Sequence, residues 1–424
     1  MMSDCVDVLG VGFGPANLSL AIAMQEDSPG TAAYFLEAET DPVWQGGLLL
    51  DGSNMQNHPN RDLVTLRNPR SHYSFLNYLF EEGRLIEHLN LPMEFPLRKE
   101  YAKYIKWAAN QFREQVGFGA RVTGVATADV DGAPAYVVST SDGATHRGRA
   151  LVLGTGRTPF VPGPFDTLSS PRVCHLTRYL PTVRALPAPR SIAVIGGSQS
   201  AVEIVLDLAA RFPQARIVNY VRKFGLPLKE TSPFSEEGFF PAFTEYYYKA
   251  SRASKDVLDA YMRPTNYSST DADVLHRLYE LIYEQRLDGD QRVFVQGNSE
   301  VRSAAVDGDG VRFEVEEVHT KDVVSDRADL VVLATGFRDL GPHPHQEAYP
   351  AVLGGVIDRF AFDDDGYLVV EADYSLRATV DGTPPLFLNG LCESTHGIGD
   401  AGSFSLLSLR AATIRDGLRK QGIA

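Results

Sequence analysis

The chain has 424 residues, with 40 Lys and Arg against 54 Asp and Glu, a formal net charge of −14. That balance, with no basic run longer than two residues, argues against a nucleic-acid partner, whose phosphates are held by clustered cations. A hydrophobic fraction of 44% beside 22% charged residues excludes disorder as the main state and supplies core for two or three domains.

In chain order, the acidic opening Met1 to Asp7 leads into a strand pattern and is not read as a signal peptide. Residues 6–9 form a short apolar strand, Gly10, Gly12 and Gly14 a turn, and Pro15 begins an apolar helix. Such a turn brings a pyrophosphate against backbone N–H groups at the positive end of a helix dipole. The spacing Gly-x-Gly-x-Gly-Pro puts Pro15 at the usual third glycine position, where the first helical turn needs no N–H. The strand at 33–36 ends on Glu37, about 22 positions past the turn, near the distance at which an acid meets a ribose hydroxyl. Residues 136–140 and 150–153 read as further strands.

A second strand–turn–helix unit follows at residues 191–204, with Gly196, Gly197, Ser198, Gln199 and Ser200 in its turn and a strand at 215–221 behind it. Ser198 takes the middle position, where backbone approach to a ligand matters most, and a small side chain still fits there. Arg222 and Lys223 follow the strand where a 2′-phosphate would sit, favouring NADPH over NADH; a solvated pair of surface cations is an equally common reading. The proline-rich segment 181–190 marks a domain boundary. The expected fold class is therefore α/β, with two Rossmann-like dinucleotide-binding domains, divided as 1–180, 188–330 and a return at 331–424.

Within the second unit, residues 239–286 are rich in aromatics and turn helical over 271–285, suggesting a helical substrate-site insertion at about 230–290 that covers a pocket. Residues 307–318 open with two Asp-Gly pairs and then alternate, as one arm of a hairpin does. Strands are expected at 329–333, 367–370 and 386–388, and a last helix at 403–419. No stretch approaches the roughly 20 apolar residues that span a bilayer. Cys5, Cys174 and Cys392 are few, scattered and without metal-ligand spacing, which fits a reducing cytoplasm and no metal. Two nucleotide sites without a close cysteine pair exclude a disulfide reductase, and dioxygen becomes the simplest acceptor for electrons from a reduced flavin.

Several blocks together carry a resemblance: Gly12-Phe13-Gly14-Pro15-Ala16-Asn17, Met55-Gln56, Arg61 to Pro69, Phe95 to Tyr101, Gly196 to Ala201, Ser232-Pro233-Phe234, Thr265-Asn266-Tyr267-Ser268, Ala334-Thr335-Gly336 and Thr395-His396-Gly397. In order and over essentially the whole chain they resemble the flavin-dependent N-hydroxylating monooxygenases of ornithine, lysine and diamines. The resemblance implies FAD and NADPH as cofactors, a C4a-hydroperoxyflavin that oxidises a neutral amine, a homo-tetramer, and a place in siderophore or other secondary-metabolite biosynthesis. It also implies residue roles. Trp44, Gln45 and Gln56 would lie by the FAD, with Gln56 near the ring; Arg98 and Gln199-Ser200 by the NADPH; Asn266 by the substrate or NADP; and Thr395, His396 and Gly397 closed around the FAD. From residue type alone, His396 reads as a turn histidine satisfied by backbone.

The departures from the family pattern fall in the expected substrate site. Arg61 replaces the usual Lys, keeping the charge but presenting a planar fork able to hold a carboxylate at two points. Glu236 replaces an Asn; facing the pocket it would favour a cation, facing solvent it would be one surface acid among many. Residues 398–404 are longer and richer in glycine than usual, leaving Ser403 and Ser405 as candidates for the substrate's amino group. Two rivals remain: oxygen insertion at a ketone or sulfur, and a non-catalytic flavin-binding regulator.

Overall fold

The computed structural model describes residues 5–91 and 93–424, so residues 1–4 of the acidic opening lie outside it. The first sheet contains β1 (Val6–Val11), β2 (Ala33–Glu37), β3 (Val116–Phe118), β4 (Val122–Val130), β5 (Ala133–Thr140) and β6 (Thr145–Leu153). The second contains β7 (Val173–His175), β8 (Ser191–Ile195), β9 (Arg216–Tyr220) and β10 (Val293–Gln296). A meander of β11 (Ser299–Asp307), β12 (Gly310–Glu317) and β13 (Val323–Ala328) leads to β14 (Leu330–Leu333) in the second sheet, and β15 (Leu386–Leu388) returns to the first.

The first sheet runs β3-β2-β1-β6-β5-β4, with β15 also on β6. Its β3, β2, β1, β6 and β15 are parallel neighbours, and β5 and β4 form an antiparallel flap. The second sheet, β10-β9-β8-β14-β7, is parallel throughout. Parallel strands need both faces covered, which is why β14 and the second half of β6, Ala150 to Leu153, read as apolar runs. Val8, Leu151 and Val152 pack against Leu20 and Met24 of the helix Pro15–Asp27 and Ile414 and Leu418 of the helix Leu407–Lys420. In the helix Gln199–Arg211, Ala201, Val202, Ile204, Val205 and Leu208 form a helical stripe buried on the second sheet.

The fold class is as expected, and four local readings need correction. The segment 181–190 is no linker throughout, since Pro181 lies in the helix Tyr179–Ala185. The chain has already entered the second sheet at β7, ahead of the expected boundary at residue 180, and leaves it at Leu333, just past residue 330. Residues 367–370 form no strand: they make isolated bridges, Phe362 to Leu368 and Val370 to Leu376, between left-handed turns at Gly366 and Tyr374. The last helix starts at Leu407 rather than 403, because Ser403 Oγ accepts the Ser405 N–H at 3.0 Å and holds a turn there. The hairpin expected from 307–318 is β11–β12. No helix among the described residues is long and apolar enough to cross a membrane.

Candidate active site

A cleft of about 1940 Å³ runs between the two sheets' carboxyl ends, with Glu236, Phe239, Arg263 and Thr265 to Ser268 of the helical insertion on its wall. It exceeds the several hundred Å³ typical of one small ligand. At the first turn Gly12 has φ +82°, and a Cβ there would come within 2.5 Å of the Gly154 carbonyl oxygen. Gly14 is the helix N-cap, with nothing within 4 Å of its Cβ position, and Pro15 follows at the helix start. The Glu37 carboxylate accepts the Phe13 N–H at 2.7 Å, so the acid is fastened beside the turn. Trp44 and Gln45 line the same wall, with Trp44 edge-on to Phe404 at 5.3 Å.

Two expectations about this turn are corrected. Gly10 lies inside β1 and off the cleft; its hydrogen is there because a Cβ would strike Phe35 at 2.1 Å. The turn therefore begins at Gly12, and the third position of the pattern falls on Asn17 rather than Pro15. Asn17 is fully buried, donates to the Gly12 carbonyl at 2.8 Å and receives Asn389 Nδ2 at 3.0 Å.

The second turn repeats the plan. Gly196 has φ +140° and leaves no room for a Cβ, which would sit 2.3 Å from the Ala334 carbonyl oxygen; Gly197 packs on Val221. Ser198 is the N-cap, equivalent to Gly14, and its side chain makes no cap hydrogen bond. Ser200, Thr335 and Gly336 line the cleft, as does Arg222, which is exposed and pairs with no carboxylate among the described residues.

Arg98, Gln56 and Gln199 are drawn into a polar ring across the seam. Arg98 is buried and grips Glu203 at 2.9 and 3.0 Å while also donating to the carbonyls of Leu48 and Asn54. Gln199 donates to Glu203 at 3.0 Å and accepts the Asp271 N–H at 2.9 Å. The Asp271 carboxylate receives the side-chain amide of Gln56, whose backbone is left-handed at φ 53°, and lies 3.7 Å from Lys229. Burial raises the Asp271 carboxyl above its usual range. Arg98 thus spends its terminal nitrogens on protein partners and ties the units together rather than standing free for a phosphate.

The departures noted in the sequence converge on one wall. Arg61 Nη1 donates to Ser405 Oγ at 3.1 Å, Ser403 Oγ donates to Ser405 Oγ at 2.8 Å, and Glu236 stands 3.6 Å from Arg61. Glu236 faces the cleft. Asn266 lines the cleft too, and its Nδ2 is buried without a partner among the described residues.

Thr395, His396 and Gly397 are not among the cleft-lining residues, against the expectation that they close around the FAD. His396 is 2% exposed, stacked on Tyr374 at 4.1 Å and hydrogen-bonded to Thr395 at 2.9 Å, and burial pushes it down to about 4. Gly397 has φ +87° beneath the rings of Tyr247 and Phe243. These residues seat the helical cap on the first unit. Sequence reasoning missed Glu203, Asp271, Arg157, Asp339 and Glu393; of these only Arg157, directly after a strand-ending Gly-Thr-Gly, had a local signal.

Comparison with known proteins decides the family. The model described as L-lysine 6-monooxygenase/L-ornithine 5-monooxygenase matches residues 4–339. The chain belongs to that family. A Burkholderia cepacia L-ornithine N(5)-monooxygenase is 36% identical over 92% of this chain and 89% of its own. Among solved structures, the reduced ornithine hydroxylase of Pseudomonas aeruginosa superposes with a TM-score of 0.90 at 30% identity, covering 98% of this chain and 99% of that one. The Kutzneria sp. 744 ornithine N-hydroxylase, named as carrying reduced FAD, NADP+ and L-ornithine, also gives 0.90 at 31%, covering 99% and 100%. The N-hydroxylase family's two nucleotides fit the residues present here: both helices begin without a side-chain cap, and neither has an acid in its first turn to repel a phosphate.

Proposed function

We propose that the chain is an NADPH- and O2-dependent flavin monooxygenase that N-hydroxylates the side-chain amine of a small amino acid, ornithine first, in siderophore or related secondary metabolism. FAD would lie on the first unit (Gly12, Gly14, Glu37) and NADPH on the second (Gly196, Ser198, Arg222), in a cytoplasmic homo-oligomer. Bound and reduced, the flavin supplies the activation of dioxygen.

The observation that carries the substrate reading is the Arg61–Glu236–Ser405 wall. Arg61 and Glu236 together carry no net charge, which suits a zwitterionic head: carboxylate on the guanidinium fork, α-ammonium on Glu236. A diamine offers only a cation to that pair and leaves Arg61 unanswered. The reacting amine, with a free pKa of about 10.4 if lysine-like, must be neutral to act as a nucleophile, and a site that bound nucleotides close to water would favour the uncharged form. The same closure protects activated oxygen from solvent.

Purified enzyme with FAD, NADPH and a panel of amino acids and diamines should form hydroxylamine from an amino acid. NADPH oxidation that yields only hydrogen peroxide with every amine would overturn the proposal. Arg61→Ala should raise the substrate KM by roughly 10- to 100-fold, the worth of a charged hydrogen bond, while flavin reduction by NADPH stays nearly intact. Glu236→Gln should widen the preference for amino acids over their decarboxylated diamines, because Arg61 still answers the carboxylate while the acid that tolerates a lone cation is gone.

A further inference from the structure

Four side chains from separate segments meet beside the cleft. Arg157 Nη1 donates to the Tyr267 hydroxyl at 3.0 Å and to Asp339 at 3.0 Å. Tyr267 Oη lies 2.6 Å from Glu393 Oε2, and Arg157 Nη1 lies 3.6 Å from the same carboxyl. One guanidinium therefore faces two acids. Glu393 is the more enclosed, its side chain 13% exposed against 33% for Asp339, so it is the costlier one to ionise.

Burial, and then the charge of Asp339, push Glu393 up to about 8 against the pull of Arg157 and Tyr267; Asp400 adds to the rise. The overlying helix Arg252–Met262 brings Arg252 and Lys255 to the carbonyls of Ser394 and Thr395, and Arg263 lies 5.8 Å from the Tyr267 ring centre.

A tyrosine oxygen has two acceptor positions and one hydrogen. With Glu393 protonated, its O–H and an Arg157 N–H fill those positions and leave the phenolic hydrogen for the cleft. With Glu393 ionised, Tyr267 must donate to it. The cleft side is a nook of donors. A Cβ on Gly402 would lie 2.5 Å from Tyr267 Oη, 3.1 Å from Arg157 Nη2 and 3.1 Å from Asn266 Nδ2, the buried nitrogen that lacks a partner.

We propose that Glu393, by holding or releasing one proton, decides whether the Tyr267 hydroxyl offers its hydrogen to a carboxylate or carboxamide oxygen bound beside Asn266 and Gly402. Glu393 is a positioning residue acting through Tyr267. The inference rests on the N-hydroxylase reading for what occupies the cleft, where such an oxygen comes from the amino-acid carboxylate or from the nicotinamide carboxamide.

The test joins infrared spectroscopy with ligand titration on the holoenzyme. A carboxylic-acid carbonyl band should bleach with a midpoint near pH 8 and be missing from Glu393→Gln. Across that midpoint the Kd of either NADP+ or the amino acid should rise about three- to tenfold, the size of one net hydrogen bond, and the ligand that responds identifies the source of the oxygen. Glu393→Gln and Tyr267→Phe should both flatten that response. A missing band, or an unchanged pH response in Glu393→Gln, would overturn the inference. Failure of the N-hydroxylase reading looks different: no hydroxylamine from any amine, with the infrared band and the NADP+ titration still readable.

Discussion

At the first turn a glycine with positive φ packs on Gly154 and the helix is capped by Gly14; at the second, Gly196 packs on Ala334 and the helix is capped by Ser198. The backbone plan is shared, and the surroundings are not. The first turn is closed from within its own unit by Glu37 on the Phe13 N–H. The second is held by its helical insertion, through the Ser269 carbonyl on the Gln199 N–H and the Asp271 N–H on the Gln199 side chain, and from the first unit by Arg98 on Glu203. Backbone geometry alone makes a place for a phosphate, whereas side chains that cross the seam set where the second place lies relative to the first. Charge follows the same division, with the acid Glu37 ending β2 and Arg222, which pairs with no carboxylate among the described residues, following β9.

The sharpest way to break this comparison is to cut the seam. In the cofactor-free protein Glu203→Ala leaves the Arg98 guanidinium, buried beside the second helix, without its carboxylate. Removing one partner of a buried pair costs about 3–5 kcal/mol, so a large fall in the urea midpoint is expected. A loss below about 1 kcal/mol would mean that the pair behaves as a surface ion pair and that something else holds the units in register.

The comparison also marks what could be read in advance. Both turns, their flanking strands and the helical cap were legible because apolar period and glycine placement are local. The start of the first turn was not: Gly10 and Gly12 look alike until Phe35 from the neighbouring strand shows that one glycine makes room for a ring. Arg61 and Glu236 were legible as departures, but the direction of Glu236 depends on a helix that sequence cannot dock. His396 sits in one of the blocks that carry the resemblance, yet it stacks on Tyr374 and lies off the cleft. Arg157 and Tyr267 are 110 positions apart, and nothing local announces that they touch.

A smaller effect is expected at the self-contained turn. Glu37→Ala removes the acceptor for the Phe13 N–H together with the acid placed for a ribose hydroxyl. Hydrogen bonds to a charged group are worth about 1.5–3 kcal/mol, so FAD should bind roughly 10- to 100-fold more weakly, with the fold retained. Flavin fluorescence on dilution measures this. Unchanged retention would mean that the first turn holds its ligand through backbone groups alone.

The smallest change is expected at Arg222, which is exposed and therefore screened by salt. If it receives a 2′-phosphate, Arg222→Ala should raise the NADPH KM about tenfold, leave the NADH KM where it is, and lose most of its effect in high salt. Lys223 stands next to it, with its ammonium 3.5 Å from the Ser268 carbonyl, so part of the phosphate's charge stays answered and the loss is partial. Equal KM changes for NADPH and NADH would make Arg222 a solvated surface cation. The electrostatic contrast between the units would then reduce to Glu37, and discrimination between the two nucleotides would have to come from another cation lining the cleft, such as Lys223 or Arg302.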